Sequence, residues 1–187
     1  MAVSFANTAC PEAGSTLSES YRDMLATLGT IGCINAVAGR RLTKFEGVKK
    51  AAEAVALVQR FRKTVIKGLD AMVAGRAIPV HVVSELNRAL AACGCRREVD
   101  SAGGAYALRV VYEIAEPADV LMPLANSFAE LLSSADFTRV KRCRDERCTC
   151  YFVDTSKNRT RAWCSMERCG NRQKVATYYR RLREASG

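Results

Sequence analysis

Residues 143–172, CRDERCTCYFVDTSKNRTRAWCSMERCGNR, carry five of the chain's nine cysteines. Cys143 and Cys148 enclose four residues, as do Cys164 and Cys169, and fifteen residues separate the two pairs. Two close thiol pairs on such a linker suit a tetrahedral thiolate site. Each pair wraps a tight turn around one side of an ion, and the linker carries the second pair to the other side. Structural zinc is the expected metal; an iron–sulfur cluster also takes four thiolates, but with other local spacings. The last fifty residues offer few large apolar side chains, chiefly Phe152, Trp163, Val175 and Leu182 with three tyrosines. So small a core needs a crosslink to fold.

Cys150 either stands in for Cys148 or is a strand residue beside the site. The second reading is simpler, and Cys150 is expected not to coordinate. An odd cysteine count weakens a disulfide framework, as does a chain that reads as soluble and cytoplasmic. The opening MAVSFANTACPEAG has neither a basic leader nor a long apolar run, and no stretch is long enough to span a bilayer.

Between the pairs, Tyr151-Phe152-Val153 reads as a strand, Thr155–Asn158 as a turn and Arg161-Ala162-Trp163 as the return strand. Ser165 can cap a helix from Met166 toward Glu184, which places Cys169 in its first turn, where the helix dipole favours a thiolate. Knuckle, hairpin and helix make a treble-clef-like arrangement.

Of the formal charge of +10, +9 falls in residues 138–187. A near-neutral body joined to a basic module points to a polyanionic partner. Arg159 and Arg161 on the hairpin and Arg172, Lys174, Arg180 and Arg181 on the last helix are the candidate nucleic-acid contacts. Lys141, Arg142, Arg144 and Arg147 surround the first knuckle. Val175, Tyr178, Tyr179 and Leu182 form an apolar stripe expected to pack on the hairpin.

The first 137 residues read as mostly helical. Thr16–Glu19 fits a capping box ahead of Tyr21, Met24, Leu28, Ile31 and Val37, with Gly39 as a stop. Thr43–Glu46 repeats the box before a stripe of Val48, Ala51, Val55, Val58, Phe61, Val65, Leu69 and Met72 that ends near Gly75. Pro79 opens a helix with Val82, Val83, Leu86 and Leu90 inward. Ser101–Gly104 joins two strands in a β-hairpin. A helix over 117–134 buries Leu121, Leu124, Phe128 and Leu131, with Pro123 either its start or its kink. The fold class is mainly α: a helical domain over 1–137 and a finger over 138–187.

No phosphate loop, Ser/His/Asp arrangement or metal-spaced carboxylates occur in this body. His81 is the only histidine. Cys10, Cys33, Cys93 and Cys95 read as buried spectators, since free cysteine packs as a small hydrophobe.

Cys143, Cys148, Phe152-Val153-Asp154, Ser156, Asn158, Trp163-Cys164-Ser165 and Cys169-Gly170-Asn171-Arg172 resemble the CGNR zinc finger. In that family the finger follows a helical ABATE domain named as a stress-induced transcription regulator. Phe5-Ala6-Asn7-Thr8, Leu86-Asn87 with Leu90, and Leu131-Leu132 resemble that domain. The departures are Ser4, where aspartate is common, Ala162 within a double arginine, and Cys150 at a site often aromatic. The resemblance implies zinc on the four cysteines and a non-enzymatic regulator that binds nucleic acid, expected to be duplex DNA. Its body would sense a small-molecule effector or form a homodimer. An RNA-binding or protein-docking finger is the alternative; exposed Tyr151, Tyr178 and Tyr179 would favour single-stranded RNA.

Overall fold

A computed structural model describes residues 1–10, 20–92, 94–102 and 104–185. The body is built on one long helix. Helix α4 (Lys49–Val73) places Ala51, Val55, Val58, Phe61, Val65, Leu69 and Met72 on a single buried face. Gly75, in the left-handed region at φ 62°, turns the chain away at its end. Around this face pack α1 (Ala2–Ala6), α2 (Tyr21–Thr30), α3 (Ala36–Leu42), α5 (Val80–Ala91) and α6 (Leu121–Ser133). Phe5 of α1 lies fully buried against Phe61, ring centroids 6.4 Å apart. Gly68 lets α4 approach α6 closely, because a Cβ there would overlap Phe128 Cζ.

Several local boundaries differ from the sequence reading. The Thr16–Glu19 box lies outside the described residues, and Ser20 caps α2 by accepting from the Asp23 amide. The single helix expected through Val37 is two. Gly32, at φ 73°, closes α2, and Asn35 restarts the chain by capping α3 at the Ala38 amide. Val37 is therefore exposed and Gly39 sits inside a helix. Thr43 bonds back to the Arg40 carbonyl in a 3-10 turn and does not cap α4, which begins only after Gly47. Pro123 lies in the first turn of α6, where its missing amide has no helical partner to lose, so it marks the start. Val82 and Leu86 are buried as expected; Val83 is exposed.

Strands β1 (Cys95–Ala102) and β2 (Ala105–Tyr112) form the expected antiparallel hairpin, with Val99 opposite Leu108. A second hairpin, β3 (Val140–Arg142) with β4 (Tyr151–Val153), begins the C-terminal region, and α7 (Asn171–Ala185) ends it. Val140 and Tyr151 belong to the same core as Phe5 and Leu69, so finger and body share one hydrophobic interior. Among the described residues no helix is long and apolar enough to cross a membrane.

Gly68→Ala should destabilise the protein by about 1–3 kcal/mol through overpacking against Phe128. Gly68→Ala combined with Phe128→Leu should recover part of that loss, measured by denaturant unfolding.

Candidate metal centre

The β3–β4 hairpin is the frame of the site, and its pairing corrects the sequence reading. Tyr151–Val153 was expected to pair with 161–163, but it pairs with Val140–Arg142. Backbone bonds from Cys143 to the Cys150 carbonyl (2.9 Å) and from Asp154 to the Arg139 carbonyl (2.9 Å) extend the ladder at both ends. The first knuckle is thus the loop of this hairpin.

The 154–162 segment folds around a carboxylate instead of forming a return strand. Asp154 is fully buried and accepts from the Ser156 amide (3.0 Å) and hydroxyl, the Arg161 amide (3.0 Å) and Lys141 Nζ (2.6 Å). The Lys141 and Ser156 bonds hold this carboxyl far below the ordinary carboxylate range. Spending these donors on one side chain removes the ladder a strand would need. The Arg144 amide then bonds the Ala162 carbonyl (3.0 Å) and brings Trp163-Cys164 to the first knuckle.

The second pair follows as expected. Ser165 caps by accepting from the Arg168 amide (3.3 Å), and Met166–Gly170 makes one π-helical turn that carries Cys169 into α7. The sulfurs of Cys143, Cys148, Cys164 and Cys169 all lie within 4.8 Å of one another. Cys148–Cys164 and Cys164–Cys169 measure 3.6 and 3.7 Å. A tetrahedron of Zn–S bonds near 2.3 Å has edges of about 3.8 Å, so the four thiols fit zinc.

Electrostatics agree. Burial, then the neighbouring thiol of Cys148, pushes Cys164 up to about 12, and burial with the other three thiols raises Cys169 further. Cys143 moves the other way: burial raises it, but the Cys164 and Asp145 amides outweigh that and lower it. Four sulfurs this close cannot all ionise without a cation among them.

Asp145 joins the knuckle to the last helix. Its buried carboxylate accepts from the Arg147 amide (3.2 Å) and Gln173 (3.3 Å), and its second oxygen faces Arg172 Nε at 3.4 Å. Burial raises its pKa, but the Arg147 amide and the Arg172 charge lower it more. Arg172 is thus held inside the finger. Arg161 is exposed but tied down: it donates to the Trp163 carbonyl (2.8 Å) and the Cys164 carbonyl, and its guanidinium lies 4.9 Å from the Phe152 ring centroid.

Arg159, Lys174, Arg180 and Arg181 are exposed. The stripe of Val175, Tyr178, Tyr179 and Leu182 was expected to pack on the hairpin; all four are at least 45 % exposed. The hairpin has no face to offer them. Its Val140 and Tyr151 point into the body, and Phe152 is covered by Arg161. An open cleft of about 550 Å³ between the hairpin and the 159–162 loop is lined by Lys141, Arg142, Arg144, Arg159 and Arg161.

Sequence reasoning missed how the finger is held. The Asn7 side chain brackets Tyr151, donating to its carbonyl (2.8 Å) and accepting from its amide (2.8 Å), as a neighbouring strand would. The Tyr151 hydroxyl donates to Asp70 of α4 (2.6 Å). Asp154-Thr155-Ser156 was a readable turn signal; Asn7 stood out only through the family resemblance of Phe5–Thr8, which names no partner for it.

Cys10 is likewise no spectator. It is disulfide-bonded to Cys150, and its sulfur lies 3.9 Å from that of Cys148. Cys33 is buried, donates to the Val120 carbonyl (3.5 Å), and burial pushes its thiol up to about 12. Cys95 is exposed at the start of β1, and Cys93 lies outside the described residues. His81 is exposed on the first turn of α5. Along α4, a groove of about 630 Å³ runs past Lys50, Leu57, Arg60 and Glu116, with Lys50 and Glu116 ion-paired at 3.0 Å.

Two family models cover nearly the whole chain. Residues 1–135 match ABATE, Putative stress-induced transcription regulator, and residues 139–182 match the CGNR zinc finger. No curated protein matches.

Serine at Cys143, Cys148, Cys164 or Cys169 should lose the zinc, read by elemental analysis of protein purified without chelator. Cys150→Ser should retain one zinc per chain; the reverse result for Cys148 and Cys150 would reassign the ligands.

Proposed function

The chain belongs to the ABATE family and carries a CGNR zinc finger, and from that premise we propose a cytoplasmic regulator that binds duplex DNA through the finger. Neither family is one of enzymes. Cys143, Cys148, Cys164 and Cys169 hold the zinc, which contributes on the order of 10 kcal/mol to folding the finger. The ion has no catalytic part: it fixes the knuckle, and the knuckle fixes the basic surface.

The observation that carries this reading is the cleft lined by Lys141, Arg142, Arg144, Arg159 and Arg161, with no carboxylate in its lining. Lys141 is committed to Asp154 and Arg161 to carbonyl oxygens. Arg142, Arg144 and Arg159 therefore supply the phosphate contacts there, and Lys174, Arg180 and Arg181 extend the positive surface along α7. The groove along α4 is the place for a small-molecule effector. The hairpin's exposed Val99, Tyr106 and Leu108 are the place for a second copy of the chain.

A second reading draws on the exposed Tyr178 and Tyr179, which suit stacking on single-stranded RNA, whereas Tyr151 is buried and cannot stack. Fluorescence anisotropy across a salt series separates the two. Duplex affinity should fall steeply with salt, and Arg144→Ala and Arg159→Ala should each reduce the salt slope by about one. Salt-independent binding refutes the electrostatic surface. A preference for single strands that Tyr178→Ala abolishes selects RNA instead.

A further inference from the structure

Six of the nine cysteines share one buried cluster, and the zinc tetrahedron uses four of them. The other two, Cys10 and Cys150, are bonded to each other, with Cα atoms 5.8 Å apart and 140 residues between them in sequence. Their meeting does not depend on the bond between them. The Cys10 amide donates to the Asn7 carbonyl (2.7 Å), and the Asn7 side chain brackets Tyr151, the neighbour of Cys150. Cys150 is fixed from the other side, its carbonyl accepting from the Cys143 amide. Non-covalent contacts thus deliver both sulfurs to one place whether they are oxidised or reduced.

We propose that Cys10 and Cys150 are a reversible redox latch, oxidised by a hydroperoxide, that covalently ties the N-terminal helix of the body to the zinc finger. One sulfur attacks the peroxide, the O–O bond breaks, and an alcohol (or water, from hydrogen peroxide) departs to leave a sulfenic acid. The second thiol attacks that sulfur, the S–S bond forms and water leaves, so two electrons pass from the thiols to the peroxide. A small dithiol reverses the bond by exchange. Inside a cell, disulfides are typically of this transient, redox-sensing kind.

Zinc sets the selectivity. Cys148 lies 3.9 Å from Cys10 and would be a competing partner, but as a metal ligand its sulfur is engaged, which leaves Cys150. The oxidised latch fixes the finger, with β4 and the cleft beside it, against α1. The proposal stands apart from nucleic-acid binding, and its test uses none.

Full-length zinc-loaded protein is reduced with a dithiol, treated with one equivalent of hydrogen peroxide, alkylated under denaturing conditions and mapped by mass spectrometry. The expected product is a Cys10–Cys150 crosslink with one zinc retained. The melting temperature should rise on the order of 10 °C over the reduced protein, since the bond closes a very long loop. Cys10→Ser and Cys150→Ser should keep zinc and melt at the reduced temperature with or without peroxide. A Cys10–Cys148 crosslink with zinc loss overturns the latch, as does peroxide treatment that forms no crosslink. Two metals per reduced chain also overturn it, because Cys10, Cys148 and Cys150 would then be a second ligand set. The wild-type mapping decides the question even where a serine variant fails to fold.

Discussion

Four sulfurs packed within 4.8 Å of one another impose the constraint on which the C-terminal fifty residues depend. Burial and the neighbouring thiols push Cys164 and Cys169 up and so oppose their ionisation, and a metal's charge offsets that opposition. The region has no other comparable source of cohesion. Its last helix buries nothing; of its aromatic residues, Tyr151 belongs to the body's core, Tyr178 and Tyr179 are exposed, Phe152 lies under Arg161, and Trp163 packs against the cysteines themselves. Around the sulfurs, two buried carboxylates complete the frame. Asp154 shapes the linker, and Asp145 ties knuckle to helix through Arg172 and Gln173.

The positive charge of the finger therefore has two roles. Lys141, Arg161 and Arg172 are committed to partners within the finger: they pair with buried carboxylates or donate to carbonyl oxygens, and their removal would disturb folding before it disturbed any contact surface. Arg144, Arg159, Lys174, Arg180 and Arg181 face solvent and give the module its external field. Net charge alone could not make that division, because an arginine beside a buried carboxylate and one beside water look the same in sequence.

Body and finger meet at Tyr151, held through its backbone by Asn7, through its hydroxyl by Asp70 and through its ring by the shared core. Burial, with the Asp70 carboxylate beside it, keeps that hydroxyl protonated and donating. With the Cys10–Cys150 bond one residue away, β4 is tied to both α1 and α4, while β3 packs Val140 into the same core.

The sequence by itself determined the elements whose cause is local. The period of Val55, Val58, Phe61, Val65 and Leu69 dictates an amphipathic helix, and paired cysteines at equal gaps dictate a thiolate centre. Ser165 three residues ahead of an amide dictates a cap. Only the tertiary structure decided what each element meets. Tyr151–Val153 took Val140–Arg142 as its partner because Asp154 claimed the donors a return strand needs. The α7 stripe stayed exposed because the body already occupied the hairpin. Cys10 left the spectators because Asn7 carries it across the chain to Cys150. Local pattern reads which residues want burial, pairing or a metal; the partner is chosen by chain geometry over more than a hundred residues, which no window along the sequence contains.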